Sequence, residues 1–427
     1  MNGWTRTLHI PAYSPTRVLR LAHLSALVVA TLVVGCTGAA FLEEPPPTDF
    51  AMASPVVVAI IDSGVNPYHT VFQAGLVDAA DLDSGVGAVL IELATEGSVD
   101  ARLSADSEIW GGLEKGRLYA FSGTRIMAIS FGSADDARLV FDTSPGPGHG
   151  TAVAGIIANE APSALLVVIQ IDNVICGDGG PCPRIPQMAE AMAWAAKQPW
   201  IDVISVSQGF PANPPMHLLE DAGAYLKASR AASESGKVLI AGAGNTVTPT
   251  LTSHIAGPPW VISVGGFEGG GESSEASKLV DVVADYTVEG ADATSTSAFV
   301  KRSGTSFSAP AVAATLAEAL AISRDTLDRC EVPPNLLLRG ALNATALSIP
   351  LDAWQPRPKV PDPADPPSSS IPVVVPGAQG GWGLVHSGIV EALVASASSC
   401  EPIAQKGSTD LLMWEFAAAR SHYWATG

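Results

Sequence analysis

Three short motifs carry side chains that together could cleave a carbonyl compound. Ser306 follows a Gly-Thr pair and precedes an apolar, alanine-rich run, which predicts a buried helix beginning beside this serine. A hydroxyl in the first turn of a helix can attack a carbonyl carbon while unpaired backbone N–H groups stabilise the oxyanion that forms. Pro310 is predicted to lie in that first turn, where no N–H is needed. The simpler alternative is a serine that only caps an ordinary helix.

Two other motifs supply the acid and the base that a serine nucleophile requires. Asp62 ends an apolar run that starts at Val56 and predicts a buried parallel strand, and Gly64 permits a sharp exit. Sites in open α/β sheets form outside the carboxyl ends of strands, so Asp62 stands where a site is expected. His149 lies between two glycines at the start of a second apolar helix. A purely structural role for each residue does not account well for all three together.

The three motifs resemble those of the subtilisin-like serine peptidases (subtilases): Asp62–Gly64, His149–Gly155 and Gly304–Pro310. Their order along the chain, Asp then His then Ser, fits that family rather than the chymotrypsin-like peptidases or the α/β-hydrolases. With insertions, the resemblance extends from about residue 56 to about residue 395. It implies that Ser306 is the nucleophile, that His149 is the general base, and that Asp62 orients the imidazole and stabilises the imidazolium.

The resemblance also implies an oxyanion donor and a substrate groove. Asn245 ends an Ala/Gly-rich strand and inherits the role of donating its side-chain amide to the oxyanion; the alternative is an ordinary turn residue. An extended peptide is expected to pair with backbone along the S1 pocket. The two walls of this pocket are expected to be Ser207, Gln208 and Gly209 on one side and Gly242, Ala243 and Gly244 on the other. Gln208 stands where the family often has an apolar residue, which leaves the P1 preference open. His69 matches a histidine that is structural in the family.

The first 54 residues predict export and membrane attachment. Residues 1–35 resemble a lipoprotein signal peptide, because an apolar run too short for a confident membrane span follows two arginines. The run ends in Val-Val-Gly-Cys, which resembles a bacterial lipobox with Cys36 as the lipidated residue; a structural cysteine is the alternative. Residues 36–54 are predicted to be a Pro-rich tether. We expect an exported bacterial lipoprotein, in the outer membrane if the cell is Gram-negative, because Thr37 is not an aspartate.

The remaining cysteines predict two disulfides. They are Cys176, Cys182, Cys330 and Cys400, an even number with three possible connectivities. Cys176 and Cys182 could close a short loop, in which case Cys330 and Cys400 would join a long segment. A zinc site is the rival interpretation, but no Cys-x-x-Cys pair supports it.

Composition narrows the class of protein. The chain has 427 residues, 47% of them hydrophobic, and a formal net charge of −19. This predicts a large globular enzyme that acts on proteins or peptides and argues against a nucleic-acid-binding protein. We expect a monomer that requires no cofactor. Structural calcium is common in subtilases, but no loop has a recognisable ligand spacing.

The alternation of elements predicts a doubly wound, mostly parallel α/β sheet, a subtilisin-like three-layer α/β/α fold with an inserted acidic hairpin or subdomain. Strands are expected at 56–61, 164–171, 201–207, 237–243 and 260–264, and helices at 149–159, 185–198, 216–235 and 306–322. The catalytic domain is expected to span 55–400, followed by an extension, 401–427.

Two insertions interrupt the predicted domain. Residues 76–141 are acidic and either cover the groove or elaborate the surface, whereas 331–378 are predicted to be irregular because they are rich in proline. Only about twenty residues separate Cys36 from Val56, too few for a folding propeptide, so the enzyme is expected to fold unaided or to be poorly active. Two functions stay open: a serine endopeptidase, or an inactive relative that binds peptides at the cell surface.

Overall fold

A computed structural model describes most of the predicted catalytic domain. The described residues are 55–73, 78–82, 86–133, 139–142, 144, 146–175, 181–183, 185–208, 222–245, 255–258, 260–268, 280–347 and 381–400. All of them lie in one compact unit, Met52–Gly427.

A nine-stranded sheet forms the centre of this unit, in the order β11-β10-β9-β8-β1-β5-β4-β3-β2. The strands of the unit are β1 (Val57–Asp62), β2 (Val89–Ile91), β3 (Tyr119–Phe121), β4 (Ile126–Ser130), β5 (Leu165–Gln170), β6 (Asn173–Ile175), β7 (Pro181–Pro183), β8 (Val203–Val206), β9 (Val238–Gly242), β10 (Ile262–Phe267), β11 (Val282–Asp285), β12 (Thr287–Ala291) and β13 (Phe299–Ser303). Neighbours in the large sheet pair in parallel except β3 and β4. The predicted doubly wound, mostly parallel architecture is therefore confirmed.

Helices cover both faces of the sheet. They are α1 (Val99–Ala105), α2 (Ser107–Gly111), α3 (Gly150–Glu160), α4 (Ile185–Lys197), α5 (Ala222–Glu234), α6 (Thr305–Leu327), α7 (Pro334–Thr345) and α8 (Val390–Ala397). Val58 and Ile60 of β1 belong to the same hydrophobic core as residues of α3, α6, α7 and α8, whereas Val57 and Ile61 belong to the core that contains residues of α4 and α5. Because successive side chains of a strand point to opposite faces, this alternation produces three layers with two cores. The long apolar helix α6 is mostly buried, as a core helix is.

The acidic insertion extends the main sheet. Strands β3 and β4 form the predicted hairpin, and β4 pairs in parallel with β5, so the hairpin continues the sheet beyond its central strands. Strand β2 adds one more neighbour at the edge. The described part of this insertion is thus integrated into the fold through backbone hydrogen bonds.

The sequence predicts that the second insertion, 331–378, is irregular, but part of it is a helix. Residues Pro334–Thr345 form α7, which begins beside Pro333 and buries Leu337, Leu338, Ala341 and Leu342. Apolar residues at this spacing occupy one side of a helix, and proline is tolerated at the first turn. The prediction for 334–345 was wrong because the proline-rich stretch that follows dominated it. Residues 348–380 lie outside the described residues.

Candidate active site

Asp62 and His149 meet at the carboxyl edge of the sheet. Asp62 is the last residue of β1 and is completely buried, and His149 immediately precedes α3. The Nδ1 atom of His149 lies 2.7 Å from Oδ1 of Asp62, and the imidazole keeps a quarter of its side-chain surface exposed. The backbone N–H of Ser63 donates to the same oxygen at 2.7 Å. A buried carboxylate therefore holds a partly accessible imidazole by one of its two nitrogens.

Close backbone contact brings these two residues together. A Cβ atom placed on Gly150 would lie only 2.2 Å from the carbonyl oxygen of Gly64, closer than real Cβ atoms come to any other atom. Gly64 itself has a φ of +116°, which side chains rarely adopt. Since Gly150 follows His149 directly and Gly64 follows Asp62 by two residues, this contact fixes how closely the two side chains approach.

A second carboxylate holds the start of α3 in place. Asp142 is buried; its Oδ1 accepts the hydroxyl of Ser63 at 3.0 Å, and its Oδ2 accepts the N–H of Thr151 at 2.7 Å. The Ser63 hydroxyl in turn accepts the N–H of Gly150 at 2.9 Å. The first N–H groups of a helix have no partners within the helix, so these bonds satisfy them. Sequence reasoning missed Asp142, which lies in no motif, and gave no role to the Ser63 hydroxyl although Ser63 belongs to the motif Asp62–Gly64.

Several charges act on the protonation of His149. Burial lowers its pKa, but the charge of Asp62, the hydrogen bond to it and the charge of Asp142 outweigh burial, while Arg302 opposes them. The net result is a pKa above the ordinary 6.5. Arg302 lies close by, since its guanidinium donates to the carbonyl of Gly148 at 2.8 Å. The site thus favours the protonated imidazolium, the form a general base has after accepting a proton.

Ser306 lies at the beginning of α6, in the turn whose next residue contacts the imidazole. The helix starts at Thr305 after Gly304, and Ser306 is half-buried. The ring of the next residue, Phe307, has its centre 5.2 Å from that of the His149 ring. Among the described residues, however, no hydrogen bond joins the Ser306 hydroxyl to His149. The structure therefore brings Asp62 and His149 into direct contact and places the serine in the adjoining helix turn.

Pro310 does not occupy the first turn of α6, contrary to the expectation from sequence. The helix already begins at Thr305, so Pro310 is its sixth residue. A proline has no N–H, so the usual helical bond to the carbonyl four residues earlier, that of Ser306, cannot form. The turn that carries Ser306 is consequently held by one backbone bond fewer than an ordinary helix.

Asn245 is bonded to the same helix start. Its Oδ1 accepts the Thr305 N–H at 2.9 Å and the Thr305 hydroxyl at 3.1 Å, while that hydroxyl accepts the N–H of Gly244 at 3.0 Å. Behind it, a Cβ on Gly242 would lie 2.9 Å from the Thr305 carbonyl oxygen, so β9 and α6 touch backbone to backbone. With Oδ1 engaged, the donor end of the exposed amide, Nδ2, is the end that can serve a ligand.

The predicted pocket walls are only partly described. Ser207 is buried just after β8, and Gly242 and Ala243 are buried at the end of β9, with Gly244 next to them. Gly209 lies outside the described residues. The side chain of Gln208 is buried and its Nε2 donates to Oδ1 of Asp62 at 3.0 Å. Sequence reasoning assigned Gln208 to the pocket wall and did not foresee this contact.

His69 has a structural role, as the sequence predicts, because both of its ring nitrogens are hydrogen-bonded to backbone groups. It is completely buried, its Nδ1 accepts the N–H of Val71, and its Nε2 lies 2.9 Å from the carbonyl oxygen of Ala298. These bonds require Nδ1 to be unprotonated, and burial lowers the pKa of His69, so the ring is neutral.

The residues that the structure describes include one of the two predicted disulfides. Cys330 and Cys400 form a disulfide across 70 residues, with Cα atoms 5.3 Å apart. Cys36, Cys176 and the side chain of Cys182 lie outside the described residues. In the part of the chain that the structure describes, no three His, Cys, Asp or Glu side chains cluster in a way that could hold a metal ion.

Comparison with known proteins identifies the family. The sequence model of the subtilase family, peptidase S8, matches residues 53–363. The chain therefore belongs to the subtilase family, and so to a family of serine peptidases.

The individual proteins that match this chain share little sequence with it or match only a short part of it. The subtilisin-like protease het-Q2 of Podospora anserina is 35% identical over 83 residues, which are 19% of this chain and 22% of that protein. The chain thus matches about a fifth of the length of this relative. Among solved structures, the prenylagaramide maturation protease PagA has 17% identity and a TM-score of 0.49, with 81% of this chain and 94% of PagA covered. Fervidolysin from Fervidobacterium pennivorans, a keratinolytic enzyme related to subtilisin, has 18% identity and a TM-score of 0.48, with 82% and 43% covered.

Proposed function

We propose that this protein is a serine endopeptidase that hydrolyses peptide bonds through an acyl-enzyme formed on Ser306. The observation that carries the proposal is the 2.7 Å contact between Asp62 and His149, with the imidazole partly exposed beside the helix turn of Ser306. Membership of the subtilase family supports the same reaction class.

Each step of the reaction has a residue suited to it. Ser306 Oγ attacks the scissile carbonyl and passes its proton to Nε2 of His149, the ring nitrogen that does not face Asp62. Asp62 keeps the proton on Nδ1 and stabilises the imidazolium, which then protonates the leaving amine. Water attacks the acyl-enzyme with His149 again as the base, and this releases Ser306.

The oxyanion requires two donors in this scheme. The backbone N–H of Ser306 is in the first turn of α6, where N–H groups are unpaired by the helix itself. The second donor is the Nδ2 group of Asn245, whose orientation is supported by the bonds from Thr305 to its Oδ1. Ser306 approaches His149 when a substrate is bound, since catalytic hydrogen bonds often shorten only in the complex.

Labelling by a fluorophosphonate tests this proposal. We expect covalent labelling of the wild-type protein and none of Ser306→Ala. Ser308→Ala is a matched control, because the Ser308 hydroxyl donates to the Asp285 carbonyl and lies in the same helix. Labelling should persist in that variant. If the folded wild-type protein takes up no label, with or without added calcium, the result would instead support a peptide-binding module. The absence of a hydrogen bond between Ser306 and His149, both described in the structure, is the observation that favours this second function.

The place of the enzyme in the cell is proposed from sequence alone. We propose that Cys36 is lipidated and anchors an exported protein to the bacterial envelope, because residues 33–36 resemble a lipobox. Metabolic labelling with an alkyne fatty acid in a bacterial host should mark the wild-type chain but not Cys36→Ala. Equal labelling of both chains, or of neither, contradicts the anchor.

A further inference from the structure

The carboxylate of Asp62 receives all its hydrogen bonds on one oxygen. Oδ1 accepts from the Ser63 N–H at 2.7 Å, from His149 Nδ1 at 2.7 Å and from Gln208 Nε2 at 3.0 Å. Oδ2 is buried and, among the described residues, has no hydrogen-bond partner. The negative charge that faces the imidazole is therefore shared with a side chain outside the Asp-His-Ser set.

The sheet register explains how Gln208 reaches this carboxylate. Strands β1 and β8 are parallel neighbours, with Ile61 opposite Val206. Gln208 therefore leaves the carboxyl edge of β8 beside Asp62, the last residue of β1. Its side chain is long enough to turn back to the carboxylate, and only 8% of the residue is exposed.

Gln208 and His149 compete for the same oxygen. Their nitrogens, Nε2 and Nδ1, are 3.4 Å apart, and both direct a hydrogen toward Oδ1 of Asp62. An amide donates at every pH, whereas the imidazole changes its charge. A donor that is always present restrains the carboxylate and also weakens the field that it exerts on the imidazole.

We propose that Gln208 is a positioning residue of the peptidase: its side-chain amide fixes the Asp62 carboxylate toward His149 and sets how strongly that carboxylate favours the imidazolium. This inference rests on the proposed function. Among the described residues, the other charged groups that act on His149 are Asp142, from the segment before α3, and Arg302 on β13; the adjoining turn of α6 contributes the uncharged Phe307. None of these residues changes in the test below.

The test replaces the amide with an apolar chain of similar length, Gln208→Met. Without the competing donor, Oδ1 attracts the imidazolium more strongly, so the titration midpoint of His149 should rise. The fluorophosphonate labelling rate on the plateau above that midpoint should fall about ten-fold, which corresponds to roughly 1.4 kcal/mol, because a hydrogen bond to a charged group is lost. The small label uses little of the peptide groove and so reports on the catalytic groups.

Gln187→Met is a matched control. Gln187 is also buried, and its Nε2 donates to a carboxylate oxygen of Asp172 at 2.9 Å. The substitution removes the same kind of bond in another part of the domain, so the midpoint of His149 and the labelling rate should stay unchanged. Gln208→Leu provides a second variant should the methionine substitution prevent folding, and it should also raise the midpoint because it too removes the donor amide.

The His149 midpoint is measured in two ways, so that two failures can be told apart. One is the pH dependence of the labelling rate. The other is an NMR titration of carbon-13-labelled histidine, assigned with His149→Asn, which requires no activity. A raised NMR midpoint in the variants supports the inference even if the wild-type protein takes no label, a result that would overturn only the proposed function. An unchanged or lowered midpoint in folded Gln208 variants overturns the inference, whatever happens to the rate.

Discussion

The contact between Gly150 and Gly64 predicts a large effect of one methyl group. In Gly150→Ala the new Cβ would lie 2.2 Å from the Gly64 carbonyl oxygen and 3.0 Å from its nitrogen, whereas ordinary contact begins at 3.4 Å. The two backbones must therefore separate by about 1 Å. Both are backbone atoms, so no flexible side chain can give way.

The separation falls directly on the catalytic pair. Gly150 follows His149, and Gly64 is two residues after Asp62, so the 2.7 Å bond between these side chains must lengthen or bend. A misplacement of about 1 Å typically costs on the order of 100-fold in rate, which we expect for fluorophosphonate labelling. Overpacking should also lower the free energy of unfolding by about 1–3 kcal/mol.

The assay compares labelling rates at a pH above the titration of His149, with circular dichroism to verify folding. Gly223→Ala is the matched control, because a Cβ at this position in α5 meets nothing within 4 Å. Its labelling rate should equal that of the wild type. If Gly150→Ala is folded and labels nearly as fast as the wild type, then the glycine contact does not determine the geometry of Asp62 and His149.

Three further predictions concern titration and stability. Because the pKa of His149 is raised and the base must be neutral, labelling should decline as the pH falls through a midpoint above 6.5; a midpoint at or below 6.5 would show that burial dominates. Arg125→Met removes the donor to two carbonyls at the end of α3 and should lower the free energy of unfolding by about 2–4 kcal/mol in urea, whereas Arg117→Met, at an exposed ion pair, should change it little. Equal effects would contradict the role of the buried guanidinium. Replacing Cys330 and Cys400 together by serine should cost about 2–4 kcal/mol, because the disulfide closes a 70-residue loop; an unchanged urea midpoint would refute this.

The central strands and the main helices could be predicted from the sequence because each is a continuous apolar run with a glycine or a polar residue at its end. Strand β1 was expected at 56–61 and is found at Val57–Asp62. The helix α7 was missed although its apolar spacing was present, since the proline-rich stretch that follows it suggested irregular structure. Pro310 was assigned to the wrong turn although the start of α6 was predicted to within one residue: in a helix expected from residue 306 it is already the fifth residue, and in the structure it is the sixth.

The partners of Asp62 and of the start of α3 were much harder to foresee. Gln208 and Asp62 are 146 positions apart, and Ser63 and Asp142 are 79 apart. Contacts of this kind depend on strand register and on the path of irregular segments. Motifs describe residues that are neighbours along the chain, so they indicate Asp62 and His149 but not the side chains that support them.

The position of β1 has a consequence for how the candidate active site responds to heat. Four strands flank it on each side, and both of its faces are buried, so its amides should exchange with deuterium only when the whole domain opens. Asp62 belongs to this strand and therefore to the most persistent part of the protein. Heating should accordingly leave Asp62 in place until the sheet itself melts, so any loss of labelling at a lower temperature would have to come from the more exposed groups of the site, such as Asn245.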